Sequence, residues 1–564
     1  MNLRLRSVLI VILALALLLR LIGLRYGLPY VYNPDEVSIM SRALAFAKGD
    51  LNPHNFLYPT FYFYVLFAWE GLTAAAAVVT RSVASFGAFQ REFFVDPTRV
   101  YVAGRLLAAL LGTATVAATW RLAARIEGAG AGLVAALLLA VLPLHVLNSH
   151  YVKHDVPATL LIVLACIACE RLWETGGSVA FAAGVTGVAF STHYYTIFLA
   201  VPLAWSAAHG ARDRREAFQR VAAAAAISAV VFIALSPFLL VEPLTALRDI
   251  RANREIVVDR AVGQIGYFGS AARYLRLAFF GSMGPLVLTS ALGAGSSIAT
   301  PATRQRALLL LSFPAAFLLF IFSTYPASRY LVPLTPFIAV FSAVTFVRAF
   351  RMDNVTRVGS AFGLVLVALV AAGESVWTDI FIRQTDTRTL AARYIEANVP
   401  GGATILTQPY SVPLAPTAEV LREAVARNRR EMPTKTALEL ERSPYPSPAY
   451  RILYLGRGLD ADKIYVPYGG LGPEASDNPL RAEHVAFVLL KRYNDVDPAT
   501  LPLLKTLARE GRRVAVFSPY RETADTGAGS RPEPFLHNTD ARIDATLERP
   551  GPIVEIWQIH DPGS

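Results

Sequence analysis

The sequence predicts a polytopic α-helical membrane protein of about eleven transmembrane helices with a C-terminal soluble α/β domain. Three observations predict it. Of the 564 residues, 54% are hydrophobic and only 17% charged, against about 25% charged in a soluble globular chain, and the mean hydropathy is +0.42. The apolar residues gather into runs of spanning length, about 17–25 residues each. After residue 376 the texture turns charged and rich in proline and glycine. One large soluble enzyme is therefore excluded. The two cysteines exclude a disulfide framework and a cysteine-rich zinc module.

The net charge of +11 comes from 53 Lys+Arg against 42 Asp+Glu. It does not point to nucleic acid. Most basic residues are arginines at the ends of apolar runs, as the positive-inside rule requires, and no basic run interleaved with aromatics occurs.

Residues 1–6 form a short basic tip, followed by an apolar run over 7–19. A signal peptide starts the same way. No small-x-small cleavage site follows, however, and the run continues past Arg20 to Leu24. A retained first span entering from the cytoplasm is expected. Further spans are expected near 101–120, 129–148, 155–173, 218–240, 274–296, 306–325, 330–348 and 358–376, with 179–208 holding two short ones broken around 191–193.

Charge decides the segment 59–80. If it lies on the outer face as a juxtamembrane helix, the cytoplasmic ends carry Arg4, Arg6, Arg121, Arg125, Arg171, the cluster Arg212/Arg214/Arg215/Arg220, Arg304, Arg306, Arg348, Arg351 and Arg357. A crossing there would put most of these outside, against the rule. The expected outer loops are then 25–99, 149–154 and 241–273. Two domains follow: a membrane domain over 1–376 and an extracytoplasmic α/β domain over 377–564.

In that last domain Thr387–Asn398 and 499–510 read as helices, and 403–407, 484–490, 513–517 and Ile553–Ile559 as strands. Strands alternating with helices suggest a small α/β fold. It contains no glycine-rich phosphate loop, and 522–534 reads as a flexible loop. No internal repeat is evident.

The stretch richest in chemistry is Tyr32-Asn33-Pro34-Asp35-Glu36 in the first outer loop. A carboxylate at the water–lipid boundary, behind a proline that fixes the backbone, can accept a proton from a substrate hydroxyl. Alternatively it is a solvated acid capping a helix that begins near Val37. The loop continues as Leu57-Tyr58-Pro59-Thr60-Phe61-Tyr62-Phe63-Tyr64, aromatics that suit either the membrane interface or stacking on a sugar. The second outer loop reads Ser149-His150-Tyr151-Val152-Lys153-His154-Asp155. Ionisable groups at that depth are functional candidates: Lys153 or His154 could neutralise a phosphate, with Asp155 orienting them. A boundary cluster is the other reading. Ser191-Thr192-His193-Tyr194-Tyr195 interrupts an apolar stretch, and its polar groups must pair or line a cavity. Arg329 sits in the short turn Ser328-Arg329-Tyr330, with little loop to retreat into. It must snorkel or hold an anion, for which its two parallel donors fit. Cys166 and Cys169 lie mid-span and read as packing residues.

Together these motifs resemble the GT-C membrane glycosyltransferases, in particular the protein O-mannosyltransferase and aminoarabinose (lipid A) transferase type. The matching stretches are NPDE, YPTFYFY, Arg105 in GRLLAALLGT, SHYVKHDVPATLL, Pro237 in SPFLLVEPLTALRDI, and ASRYLVPLTPF. Their order and spacing run through most of 1–376. The resemblance implies an inverting transfer on the outer face, from a polyprenyl-phosphate-linked sugar to a hydroxyl of an envelope glycan, lipid or protein. Carried over by position, Asp35 is the general base and Glu36 supports it, while Asp155 is the second outer-loop acid. Lys153, His154 and Arg329 are candidates for the donor phosphate, and Arg105 braces the first loop. His193, Tyr194 and Tyr58 are further candidates for substrate binding. Some members use a divalent cation; no ligand set for one stands out here. The aminoarabinose transferases carry lysine-proline-proline, and the mannosyltransferases histidine-proline-proline, where this chain reads Leu57-Tyr58-Pro59-Thr60, a departure that leaves sugar and acceptor open.

Alanine- and arginine-rich usage suggests a GC-rich bacterial genome. The expected place is thus a bacterial plasma membrane, with the N-terminus cytoplasmic. Two other classes fit a chain of this kind. A transporter or flippase for a lipid-linked sugar should show repeat symmetry and helices broken at mid-membrane. A receptor or assembly factor would use the spans only as an anchor, for which about eleven are excessive.

Overall fold

A computed structural model describes residues 3–259, 264–475, 478–493, 497–521, 532–537 and 542–560. The loop expected at 522–534 falls mostly on 522–531, outside the described residues.

Helix α1 (Leu3–Leu21) leads through a winding turn to α2 (Pro34–Ala45). Pro34 presets the backbone at the first helical position. Asn33 is the N-cap, its side-chain oxygen accepting the Asp35 amide at 3.1 Å. The helix thus starts three residues before Val37, and an asparagine caps it. The alternative of Asp35 as the cap is corrected on this point.

Helix α3 (Phe61–Val79) is followed by α4 (Phe86–Val95) and the long α5 (Thr98–Glu127). Next come α6 (Ala129–Val141), α7 (Pro143–Asn148), α8 (Asp155–Thr175), α9 (Val179–Phe190), α10 (Ala200–Ala208) and α11 (Arg214–Leu235). At its start α3 meets the C-terminal ends of α9 and α11: the Phe61 amide donates to the Ser191 carbonyl at 3.1 Å and the Thr60 amide to Ser236 Oγ at 3.1 Å. Further on it meets the first turns of α5, where Trp69 donates to the Ala103 carbonyl at 2.8 Å and Arg99 to Ser82 Oγ at 3.1 Å. Both ends of α3 therefore touch the same end of the helix bundle. It lies along that end.

The remaining membrane-side elements are α12 (Pro243–Arg254), α13 (Tyr267–Arg276), α14 (Leu286–Ala299), α15 (Pro301–Ile321), a 3-10 turn over Ser328–Leu334, α16 (Thr335–Ala349) and α17 (Asn354–Ile382). Among the described residues, seven helices are long and apolar enough to cross a membrane, or up to eight with one bent pair. The chain is a multi-pass membrane protein. Two expected spans are not single helices. Segment 129–148 divides at Pro143, which has no amide hydrogen to continue the ladder. Segment 274–296 bends by 109° at Gly284, whose φ of +52° glycine adopts without penalty.

The Pro143 break explains the arginine inside the first span. The fully buried Arg20 guanidinium donates to the carbonyls of Leu139 (3.3 Å) and Ala140 (3.1 Å) beside the break. It also reaches the Ala16 carbonyl (2.8 Å), Ser149 Oγ (3.2 Å) and His145 Nδ1 (2.9 Å). At the far end of the bundle other arginines find acids. Glu170 and Glu174 take Arg125 and Arg306, and Glu127 takes Arg348 at 2.9 Å and Arg351 at 2.6 Å.

Beyond α17, helix α18 (Thr387–Asn398) opens an α/β unit with strands β1 (Thr404–Thr407), β2 (Arg451–Leu455), β3 (Ile464–Val466), β4 (Phe487–Arg492), β5 (Gly511–Phe517) and β6 (Ile553–Ile559). Helix α19 (Ala418–Asn428) follows β1 and α20 (Leu501–Glu510) precedes β5. The sheet order is β3-β2-β1-β4-β6-β5, parallel from β3 to β4 and antiparallel across β6. All four expected strands are present. Strands β2 and β3 were not anticipated, and β3 is only three residues long.

Candidate active site

The capped N-terminus of α2 fixes two carboxylates in different surroundings. Glu36 is fully buried and all its capacity is used. Arg105 of α5 meets it through two parallel donors at 3.0 and 2.8 Å, the Tyr26 hydroxyl donates at 2.5 Å, and the Val152 amide donates at 3.0 Å. Arg105 also donates to the carbonyls of Leu24 and Tyr26, at 2.8 and 2.9 Å. One ion pair thus ties together the first loop, α2, α5 and the turn before α8.

Asp35 faces the other way. Its side chain keeps 31% of its surface exposed. Lys153 Nζ stands 2.7 Å and Arg329 Nη1 3.1 Å from the same oxygen, Oδ2. Burial pushes the Asp35 carboxyl up, but the two cations outweigh it and hold the group below its ordinary value of 3.8. The result is a partly exposed, ionised carboxylate beside two cationic side chains drawn from segments 118 and 294 residues away.

The other predicted residues gather on one side. His154 is buried and its ring stacks on Tyr58, centroids 4.2 Å apart and planes 6° apart. Tyr62 and Phe63 close its edges at 4.9 and 5.0 Å. His193 meets Tyr58 edge-on at 5.2 Å and stacks on Tyr195 at 3.7 Å. Neither ring nitrogen of His154 has a partner among the described atoms, so His154 is packed as an aromatic, whereas Lys153 reaches Asp35. Asp155 lies in the first turn of α8, buried. The Tyr194 hydroxyl donates to the Phe56 carbonyl at 2.9 Å, so it anchors the first loop to the break after α9.

Tyr26 and Asn33 were not singled out from sequence, although both hold the two acids in place. The signal for Asn33 was present: an N-cap residue immediately before proline. For Tyr26 there was none, because its contacts depend on α5. Among the described residues no group of three or more His, Cys, Asp or Glu side chains is placed to hold a metal ion. At Asp35 two cationic side chains occupy the carboxylate instead.

The fold and this site define a class: a multi-pass membrane protein that presents a carboxylate and two cations at one end of its helix bundle. Residues 98–240 match the family described as dolichyl-phosphate-mannose-protein mannosyltransferase, a stretch that includes Arg105, Lys153, His154, Asp155, His193 and Tyr194. Over that stretch the resemblance to the protein O-mannosyltransferase type is borne out. No curated protein matches the chain in sequence. Among solved structures, ArnT from Cupriavidus metallidurans bound to undecaprenyl phosphate is 14% identical, with 97% of each chain covered and a TM-score of 0.49. The archaeal oligosaccharyltransferase AglB from Archaeoglobus fulgidus, in complex with an inhibitory peptide and a dolichol-phosphate, is 13% identical, covering 87% of this chain and 69% of that one at a TM-score of 0.48. The arabinofuranosyltransferase AftD from Mycobacteria is 15% identical, covering 99% and 42% at 0.43.

Proposed function

We propose that the protein is a membrane glycosyltransferase that moves a sugar from a polyprenyl-phosphate donor to an acceptor hydroxyl, with inversion, on the outer face of a bacterial plasma membrane. The observation that carries this reading is the Asp35 carboxylate, accessible and ionised, with Lys153 and Arg329 in contact. Asp35 takes the proton of the acceptor hydroxyl, whose oxygen attacks the anomeric carbon. The bond from that carbon to the phosphate oxygen breaks, and polyprenyl phosphate leaves with the bonding pair. Because both cations meet Oδ2, Oδ1 is the oxygen assigned to the proton.

The leaving group is anionic, so fixed positive charge beside it stabilises the transition state. Lys153 and Arg329 take that role when donor phosphate competes for them, a competition that also returns basicity to Asp35. Glu36, paired with Arg105, is the strut behind the base. The ring cluster of Tyr58, His154 and His193 forms the wall of the site, and the prenyl chain lies in lipid between helices. In this reading α3 is a juxtamembrane helix on the outer face, the membrane is crossed about eleven times, and the α/β unit is extracytoplasmic.

The test is glycosyl transfer by purified protein, from a panel of radiolabelled polyprenyl-phosphate sugars to a total extract of cell-envelope acceptors. Wild type is compared with Asp35→Asn. Label should move with the wild type and fall to background in the variant while its thermal unfolding stays unchanged. Full activity in Asp35→Asn would overturn the mechanism.

A further inference from the structure

One segment of the C-terminal region leaves the α/β unit and enters the membrane-side site. Within residues 532–537, His537 is buried against the first outer loop. Two of its contacts reach that loop. The His537 carbonyl accepts a hydrogen bond from Asn33 Nδ2 at 3.3 Å. Its ring stacks on Tyr26, with centroids 4.6 Å and planes 21° apart.

Each contact bears on an acid. A carbonyl can only accept, so it turns the Asn33 amide nitrogen toward itself and leaves the side-chain oxygen for the Asp35 amide. Tyr26 has two close neighbours: the His537 ring stacks on it while the Arg105 guanidinium stands 3.7 Å from the ring centroid. Its hydroxyl is the one that donates to Glu36. His537 adopts φ +61°, a left-handed conformation uncommon for residues other than glycine. A residue held that way is over-determined by what surrounds it.

We propose that His537 is a positioning residue of the transferase site. Its carbonyl sets the amide of the cap that presents Asp35, and its ring completes the stack that holds Glu36 and Arg105. The C-terminal region is then part of the catalytic apparatus, acting through the first outer loop. This inference rests on the transferase reading above.

Three variants separate the parts. Asn33→Asp keeps an oxygen for the Asp35 amide but repels the His537 carbonyl. His537→Gly keeps the carbonyl at a backbone geometry glycine favours and removes the ring. His537→Phe restores a ring. With the donor panel described above, Asn33→Asp and His537→Gly should lower kcat about 10- to 100-fold with KM for the donor within about twofold, the scale on which misplacing a reacting group by about 1 Å acts. His537→Phe should recover most of the rate.

Hydrogen exchange supplies the readout that does not need turnover: amides over 33–37 should exchange faster in the first two variants, while those of α16 stay unchanged. Wild-type rates and exchange in Asn33→Asp and His537→Gly would overturn the inference and leave the transferase reading intact. A wild type inert with every donor would overturn both, even where exchange shows that the segment docks.

Discussion

Asp35 and Glu36 are neighbours in sequence, and their surroundings give them separate work. For Asp35 the depressed pKa has a definite sign. Its pairing with Lys153 and Arg329 is present above the carboxyl's unfolded value and is lost as pH falls through the lower, folded value. The acid limb of kcat/KM should therefore lie below the ordinary carboxylate range. Lys153→Met, by removing the nearer cation, should move that limb upward in pH and raise KM for the donor. A limb that stays put would show that Lys153 does not tune this acid. Glu36 has no exposed surface, and Arg105 is equally buried. Glu36→Gln leaves the guanidinium charge without a counter-ion in a dry site, which costs about 3–5 kcal/mol. The expected result is a large fall in the thermal unfolding midpoint in detergent, together with the loss of activity. A variant as stable as wild type but inactive would instead make Glu36 a chemical participant.

At the scale of elements, close approach is what the helix packing depends on. Helices α14 and α16 come so near at Gly293 that a Cβ there would stand 1.8 Å from the Phe341 carbonyl oxygen. Gly295, two residues on, would meet nothing within 4 Å. Gly293→Ala must push two backbones apart, an overpacking of about 1–3 kcal/mol. Gly295→Ala should be neutral or gain about 0.4–1 kcal/mol from lost unfolded-state freedom. Equal unfolding midpoints for the two variants would contradict this helix contact. The same scale shows what the sequence could and could not disclose. Apolar runs mark where helices lie, because burial in lipid or protein selects composition over long windows. They do not mark where a run divides. Pro143 and Gly284 are visible in the sequence, but only packing against α1 turns the first into a socket for Arg20, and only the 109° bend gives the second its meaning. In the α/β unit the apolar runs of β1, β4, β5 and β6 were legible, whereas the equally apolar β2 was missed. The three-residue β3, fixed by its parallel pairing with β2, carries too little local signal. At the site, Asp35, Lys153 and Arg329 were legible because charge at a span boundary is costly. His537 was not, since nothing near it in sequence indicates the loop against which it packs.

Across the whole molecule, both ends of α3 contact one end of the bundle, and whether α3 crosses decides how the chain threads the membrane. If α3 lies along the outer face, residues before and after it share a side. If it crosses, they are on opposite sides and every later loop is inverted. The protein is well suited to a labelling test, because its two cysteines, Cys166 and Cys169, are fully buried. New cysteines at Leu51, Phe86, Leu459 and Met352 would stand at positions 49%, 60%, 79% and 60% exposed. A membrane-impermeant thiol reagent applied to intact spheroplasts should label the first three, which belong to the first loop and the α/β unit. Met352, in the turn between α16 and α17 beside Arg348 and Arg351, should react only after permeabilisation. Labelling of Leu51→Cys without Phe86→Cys would mean that α3 crosses. That result would put Asp35 and Lys153 on opposite sides, against their direct contact, and the orientation argument from charge would have to be abandoned.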